Sequence, residues 1–150
     1  MLMTPTLNSI KVGVFLFLKG GIDMLKMLYV GIGGFIGSVL RYIIAIYSTK
    51  FFGGQLPYGT LLVNVTGGIM IGIIMNLSLM TNNMSPEFRL FCTTGVMGGF
   101  TTFSAFSYET INLFNTSNYI LAVINIGLNV FLSLGGVLLG QYISQCIISN

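Results

Sequence analysis

From Met27 onward the chain alternates long apolar runs with short polar turns. Four mostly apolar segments lie near 27–48, 59–80, 89–113 and 119–145. Each reaches the roughly 20 residues that a helix rising about 1.5 Å per residue needs to cross the hydrocarbon layer of a bilayer. Turn formers connect them: Gly53, Gly54 and Pro57 in the first connection, Asn82, Asn83 and Pro86 in the second, and Asn115 to Ser117 in the third. The pattern predicts an all-α membrane domain of four transmembrane helices over 27–145.

Residues 1–26 do not fit that pattern. Val12 to Leu18 is apolar but too short to span, lies between Lys11 and Lys19, and is followed by no small-residue cleavage site. These residues are expected to form an N-terminal extension, with Met24 and Met27 as candidate starts immediately before the first span.

Composition fixes the solvent. Of 150 residues only six are basic and three acidic, 6% in all, while 54% are hydrophobic and the mean hydropathy is +0.91. An average soluble domain is roughly 25% charged, so lipid must surround much of this chain. With no His, two Cys and three acids, enzyme and metal-site chemistry lacks its parts. The net charge of +3 comes from scattered side chains with no basic patch, so nucleic acid is not an expected partner. Cys92 and Cys146 stand alone in apolar surroundings.

Each span carries a pair of glycines four residues apart: Gly33 and Gly37, Gly68 and Gly72, Gly95 and Gly99, Gly136 and Gly140. Small residues at this spacing let membrane helices approach closely, where the hydrophobic effect supplies little attraction. The charges that set orientation are nearly balanced. Lys26 and Arg89 fall on one side of the membrane and Lys50 on the other, a bias of about one residue that specifies orientation poorly. A chain inserting both ways can pair with its own copy as an antiparallel, dual-topology homodimer.

The candidate chemistry concentrates in the third span. In Thr93 to Ser107, three glycines and four threonines weaken the helix through backbone entropy and χ1 restriction. A break around Gly98 to Thr102 would free carbonyls to bind a hard cation. A kinked helix whose threonine hydroxyls bond back to carbonyls is the competing reading. Phe103 and Phe106 share a helix face; their positive ring edges can attract an anion, or they can simply pack. Asn64 puts an amide in the second span, and Asn125, Asn129 and Ser133 form a stripe in the fourth. The stripe can line a path or glue helices together. Arg41, within the first span, either faces an aqueous cavity or snorkels toward the interface.

Four blocks in order resemble the small fluoride channels of the Fluc or CrcB family: GGFIGSVLRY at 33–42, PYGTLLVNVTGG at 57–68, the stretch from Gly95 to Ser107 containing GGFTTFSAFS, and a fourth helix ending in Gly140. The resemblance covers about 27–145. It implies a passive, fluoride-selective channel in the cell membrane of a bacterium that exports fluoride and works as an antiparallel homodimer with a structural Na⁺ at its centre. Position by position, it implies Na⁺ held by the backbone carbonyls of Gly98 and Thr101. It implies a fluoride pore lined by Asn64, Phe103, Phe106, Ser104, Ser107, Asn129 and Ser133, and a vestibule arginine at Arg41. Two positions depart from the family pattern: Ala105 removes a hydroxyl from the FSTF block, and Ser38 replaces a usual Ala.

Two rivals come from other classes. A four-helix proton-coupled multidrug exporter needs a membrane-embedded carboxylate, whereas Asp23, Glu87 and Glu109 all map at or near the ends of the expected spans. A purely structural membrane subunit would leave the third span's unusual composition without a role.

Overall fold

The computed structural model describes residues 23–81 and 84–149; the apolar stretch 12–18 and the turn residues Asn82 and Asn83 lie outside them. Among the described residues every regular element is helical. Helix α1, Met24–Phe52, starts where the Asp23 carboxylate accepts the Leu25 N–H at 3.1 Å and ends at Gly53, whose φ of +74° suits only glycine. Helix α2 is Tyr58–Thr81, entered through Pro57. Helix α3 covers 86–100, opens with Ser85 capping the Phe88 N–H at 3.2 Å and Pro86 at the first position, and widens into a π-helical stretch at Phe91–Met97. Helix α4 is Phe103–Asn115, and helix α5 runs Tyr119–Ser149 with a second π-helical stretch at Leu128–Leu132.

Three of these, α1, α2 and α5, with 29, 24 and 31 residues, are long and apolar enough to cross a membrane. At about 1.5 Å per residue each exceeds the roughly 30 Å hydrocarbon layer. The protein is therefore an all-α, multi-pass membrane protein. The segment expected as the third span, 89–113, is divided between α3 and α4, neither of which reaches spanning length alone.

The interior is small and polar while the exterior is large and apolar, the reverse of a soluble domain. Few apolar side chains are buried, Val63, Met97, Phe100, Phe106 and Ala122 among them, whereas Ser48, Thr60, Asn76, Thr110, Asn125, Asn129 and Ser144 all are. Phe35, Phe51, Phe131 and Leu138 point outward. Dry hydrocarbon outside rewards that exposure and leaves hydrogen bonds and close contact to hold the helices together.

All four glycine pairs sit at helix crossings. Gly33 and Gly37 of α1 face Gly95 and Gly99 of α3: a Cβ on Gly33 would lie 2.6 Å from the Phe91 carbonyl oxygen, one on Gly37 would strike the Val96 carbonyl, and one on Gly99 the Gly34 carbonyl. Gly68 and Gly72 of α2 face Gly136 and Gly140 of α5, where added Cβ atoms would meet the carbonyls of Ser133, Val137, Val65 and Ile69. The molecule is thus two glycine-sealed helix pairs, α1 with α3 and α2 with α5, and α4 leaves the end of α3 to lie against α5.

Candidate functional site

The site is built around the two residues joining α3 to α4. Thr101 (φ −81°, ψ 159°) and Thr102 (φ −153°, ψ 119°) are extended, so the helical hydrogen bond from Thr102 N–H to the Gly98 carbonyl is not made. Asn64 of α2 takes that donor instead: its Oδ1 accepts from Thr102 N–H at 2.9 Å, and its Nδ2 donates to the Thr102 carbonyl at 3.2 Å. One side-chain amide therefore satisfies both backbone groups of a residue that has left the helix, as buried peptide groups require. Thr102 in turn caps α4, its hydroxyl accepting from Ala105 N–H at 3.2 Å.

The carbonyls around the break fare differently. Thr101 closes the last turn of α3 through its N–H (3.0 Å) and hydroxyl (2.9 Å), both donated to the Met97 carbonyl. Its own carbonyl accepts a 3.4 Å contact from Arg41 Nη1 of α1. Gly98 is exposed, and the N–H that would have covered its carbonyl belongs to Asn64. No group of three or more His, Cys, Asp or Glu side chains able to hold a metal ion occurs among the described residues, so a cation at this place would take backbone oxygens.

A cavity of about 570 Å³ opens beside the break. It gathers seven of the sequence candidates: Asn64, Gly98, Thr101, Phe103, Phe106, Asn129 and Ser133. No charged side chain lines it. Phe103 and Phe106 stand one turn apart with ring centroids 5.4 Å apart and planes tilted by 55°. Phe106 is buried and Phe103 is 79% exposed, so the pair leads from the surface of the subunit inward. The Ser133 hydroxyl is buried and has no hydrogen-bond partner among the described residues, leaving it free for whatever enters.

Three candidates lie elsewhere. Ser107 donates to the Phe103 carbonyl at 2.9 Å, and Ser104 pairs with the Thr102 hydroxyl at 3.1 Å, so both hydroxyls are engaged locally. Arg41 lines a second cavity of about 320 Å³, on the far side of Thr102, together with Thr60, Ala105 and Glu109. The small side chain of Ala105, where the family pattern has a hydroxyl, faces this second space.

Glu109 is the acidic residue of this second space. It lies midway along α4, half-buried, with Oε1 accepting from Thr60 at 2.7 Å and Oε2 buried without a partner among the described residues. The Thr60 bond holds Glu109 between α2 and α4. Its spacing from Phe106 was the available signal, since residues three apart share a face. Thr110 is not among the sequence candidates, whereas Asn125 belongs to the stripe of the fourth span. They form a buried 2.9 Å hydrogen bond between α4 and α5, in contact with the amide of Asn129.

Comparison with known proteins bears on this arrangement. The family model described as CrcB-like protein, Camphor Resistance (CrcB), matches residues 28–141. The chain is 49% identical over 124 residues to the fluoride-specific ion channel FluC of Clostridium novyi (strain NT), covering 83% of this chain and 97% of that protein. It is 48% identical over 124 residues to the protein of that name from Clostridium perfringens (strain 13 / Type A), with the same coverage. With the one from Sulfurihydrogenibium sp. (strain YO3AOP1) it shares 44% over 110 residues, 73% of this chain and 89% of the relative.

Proposed function

The chain belongs to the CrcB family, and from that premise we propose that it is a passive fluoride-selective channel, not an enzyme, that lowers cytoplasmic fluoride by export across the cell membrane. The observation that carries this reading is the uncharged cavity where the Phe103 and Phe106 rings, the Asn64 amide and the unpartnered Ser133 hydroxyl converge. Fluoride holds its water tightly, so a path must replace that water with donors while binding weakly enough for exit. Positive ring edges and a neutral hydroxyl supply attraction without a fixed cation. Asn129 extends the polar lining, and Arg41 in the neighbouring cavity raises the potential for an arriving anion. The chain has no GxxxxGK[ST] nucleotide loop, so flow runs down the gradient.

The functional unit in this reading is an antiparallel homodimer, supported by the near balance of Lys26 and Arg89 against Lys50. A structural Na⁺ fits its centre. The Gly98 carbonyl has lost its helical donor and the Thr101 carbonyl is met only by the long Arg41 contact, so each of two copies offers two oxygens. Bound there, Na⁺ would supply positive charge that offsets the freed carbonyl dipoles.

Fluoride efflux from liposomes holding the purified protein is the test, with chloride as the comparison anion and Na⁺ or a bulky organic cation as the counterion. Fluoride is expected to leave far faster than from empty vesicles and faster than chloride, with efflux and dimer stability both lower in the organic cation. Efflux equal to that of empty vesicles would end the channel reading. Efflux and stability equal in the two cations would remove the sodium.

Topology makes a separate prediction. Three Lys added after Asn150 are expected to fix one orientation and abolish efflux when the chain is expressed alone, with recovery on coexpression of an oppositely biased copy. Full activity of the biased chain alone would exclude the antiparallel pair. A proton-coupled exporter would need a carboxylate such as the half-buried Glu109, but family membership favours the channel. Uptake of a lipophilic cation driven by a proton gradient would reverse that preference.

A further inference from the structure

The hydrogen bonds around the break form one directed chain, closed into a ring only by the backbone of α4 between Thr102 and Phe106. Thr102 N–H donates to Asn64 Oδ1, and Asn64 Nδ2 donates to Asn129 Oδ1 at 3.0 Å. Asn129 Nδ2 donates to Asn125, at 3.0 Å to Oδ1 and 3.1 Å to its carbonyl. Asn125 Nδ2 donates to the Thr110 hydroxyl at 2.9 Å, and that hydroxyl donates to the Phe106 carbonyl at 2.7 Å. The ring leaves α4 at its cap, crosses α2 and α5, and returns to α4 one turn on, beneath the Phe pair.

Both ends are backbone groups and cannot reverse. Thr102 N–H can only donate, which forces the oxygen of Asn64 toward it; the Phe106 carbonyl can only accept, which turns the Thr110 proton toward it. The amides between are oriented by these two ends and by the Asn125 carbonyl, which also accepts from Asn129 Nδ2, and each bond polarises the next in the same sense. The middle of the ring is the driest part: Asn125 is 2% exposed, Asn129 5% and Thr110 5%. Losing one member there leaves a donor or acceptor stranded where water cannot replace it.

From this geometry we infer that Thr110 and Asn125 are positioning residues. They set which end of the Asn129 amide meets Asn64, and so hold the Asn64 clamp on Thr102 and the first turn of α4 that carries Phe103 and Phe106. Neither lines the cavity itself. Their effect on conduction rests on the proposed channel function, but their effect on the Asn64 amide does not.

The experiment pairs fluoride efflux with nitrogen-15 spectra of the protein labelled at asparagine, the Asn64 side-chain NH₂ signals being assigned by their loss in Asn64→Asp. Thr110→Val keeps the shape and removes the hydroxyl. It is expected to shift the Asn64 NH₂ signals, although Asn125 and Asn129 stand between the two residues, and to slow fluoride efflux about tenfold. Thr110→Ser restores the hydroxyl and is expected to return the Asn64 signals to their wild-type positions and efflux to within about twofold. If Thr110→Val gives no monodisperse protein, Asn125→Ala carries the same expectations, since it deletes both the donor to Thr110 and the side-chain acceptor for Asn129. Asn64 signals unmoved in the variant would overturn the inference, whether or not efflux falls. Should wild-type protein pass no fluoride, the channel reading fails and the Asn64 signals alone judge the ring.

Discussion

Asn64→Leu is expected to lower fluoride efflux at least a hundredfold while the chain still inserts in the membrane. Leucine keeps the branch of asparagine at Cγ and is larger, so the substitution leaves no void between α2 and α4. What disappears is the clamp: Thr102 N–H and carbonyl lose their 2.9 and 3.2 Å partners, and Asn129 Oδ1 loses its 3.0 Å donor. Each stranded buried group costs roughly 1–3 kcal/mol, and two of the three are backbone groups at the interruption. Bonding Thr102 N–H to the Gly98 carbonyl is the cheapest repair, which would extend α3 through the break and re-aim Phe103 and Phe106. Efflux and a glutaraldehyde-free dimer assay on the same preparation check this result. Efflux within about threefold of wild type would show that the break stands without Asn64.

Gly140→Leu is expected to abolish recovery of folded protein. A Cβ at Gly140 would strike the Ile69 carbonyl, with the Ile73 N–H 3.0 Å away on the same helix. Both are backbone atoms of α2, so neither can swing aside as a flexible side chain would, and overpacking at such a contact costs at least about 1–3 kcal/mol. The leucine branches add to that and would pry α2 from α5, the seam that positions Asn64 against Asn129. Gly135→Ala is the matched control. Its Cβ meets nothing within 4 Å, and alanine gains about 1 kcal/mol over glycine in a helix. Monodisperse yield and melting temperature should therefore rise or hold for Gly135→Ala and collapse for Gly140→Leu. Equal yields would place the seam elsewhere.

These two substitutions mark how far the sequence could be read. The medium followed from composition alone, because so few charges cannot cover a chain of 150 residues. Helix positions followed from hydropathy and turn formers, with errors at the ends: α1 runs on to Phe52 because nothing before Gly53 stops it. The four glycine pairs were visible as spacings, since a period of four is a local property, but which pair faces which is set by tertiary packing. The unusual composition of 98–102 was legible for the same local reason.

The partners were not. Asn64 lies 38 residues from Thr102 and 65 from Asn129, and no periodicity within a helix says that three helices bring these groups within 3 Å. The same limit hid the bond between Thr110 and Asn125, which joins two helices across a turn, and the bond of Glu109 to Thr60, 49 residues away. Sequence alone determined that this protein lives in lipid, as closely packed helices with one weakened segment. Only the tertiary structure decided which donor meets which acceptor, because in a dry interior each polar group must be matched by whatever group the packing brings within reach.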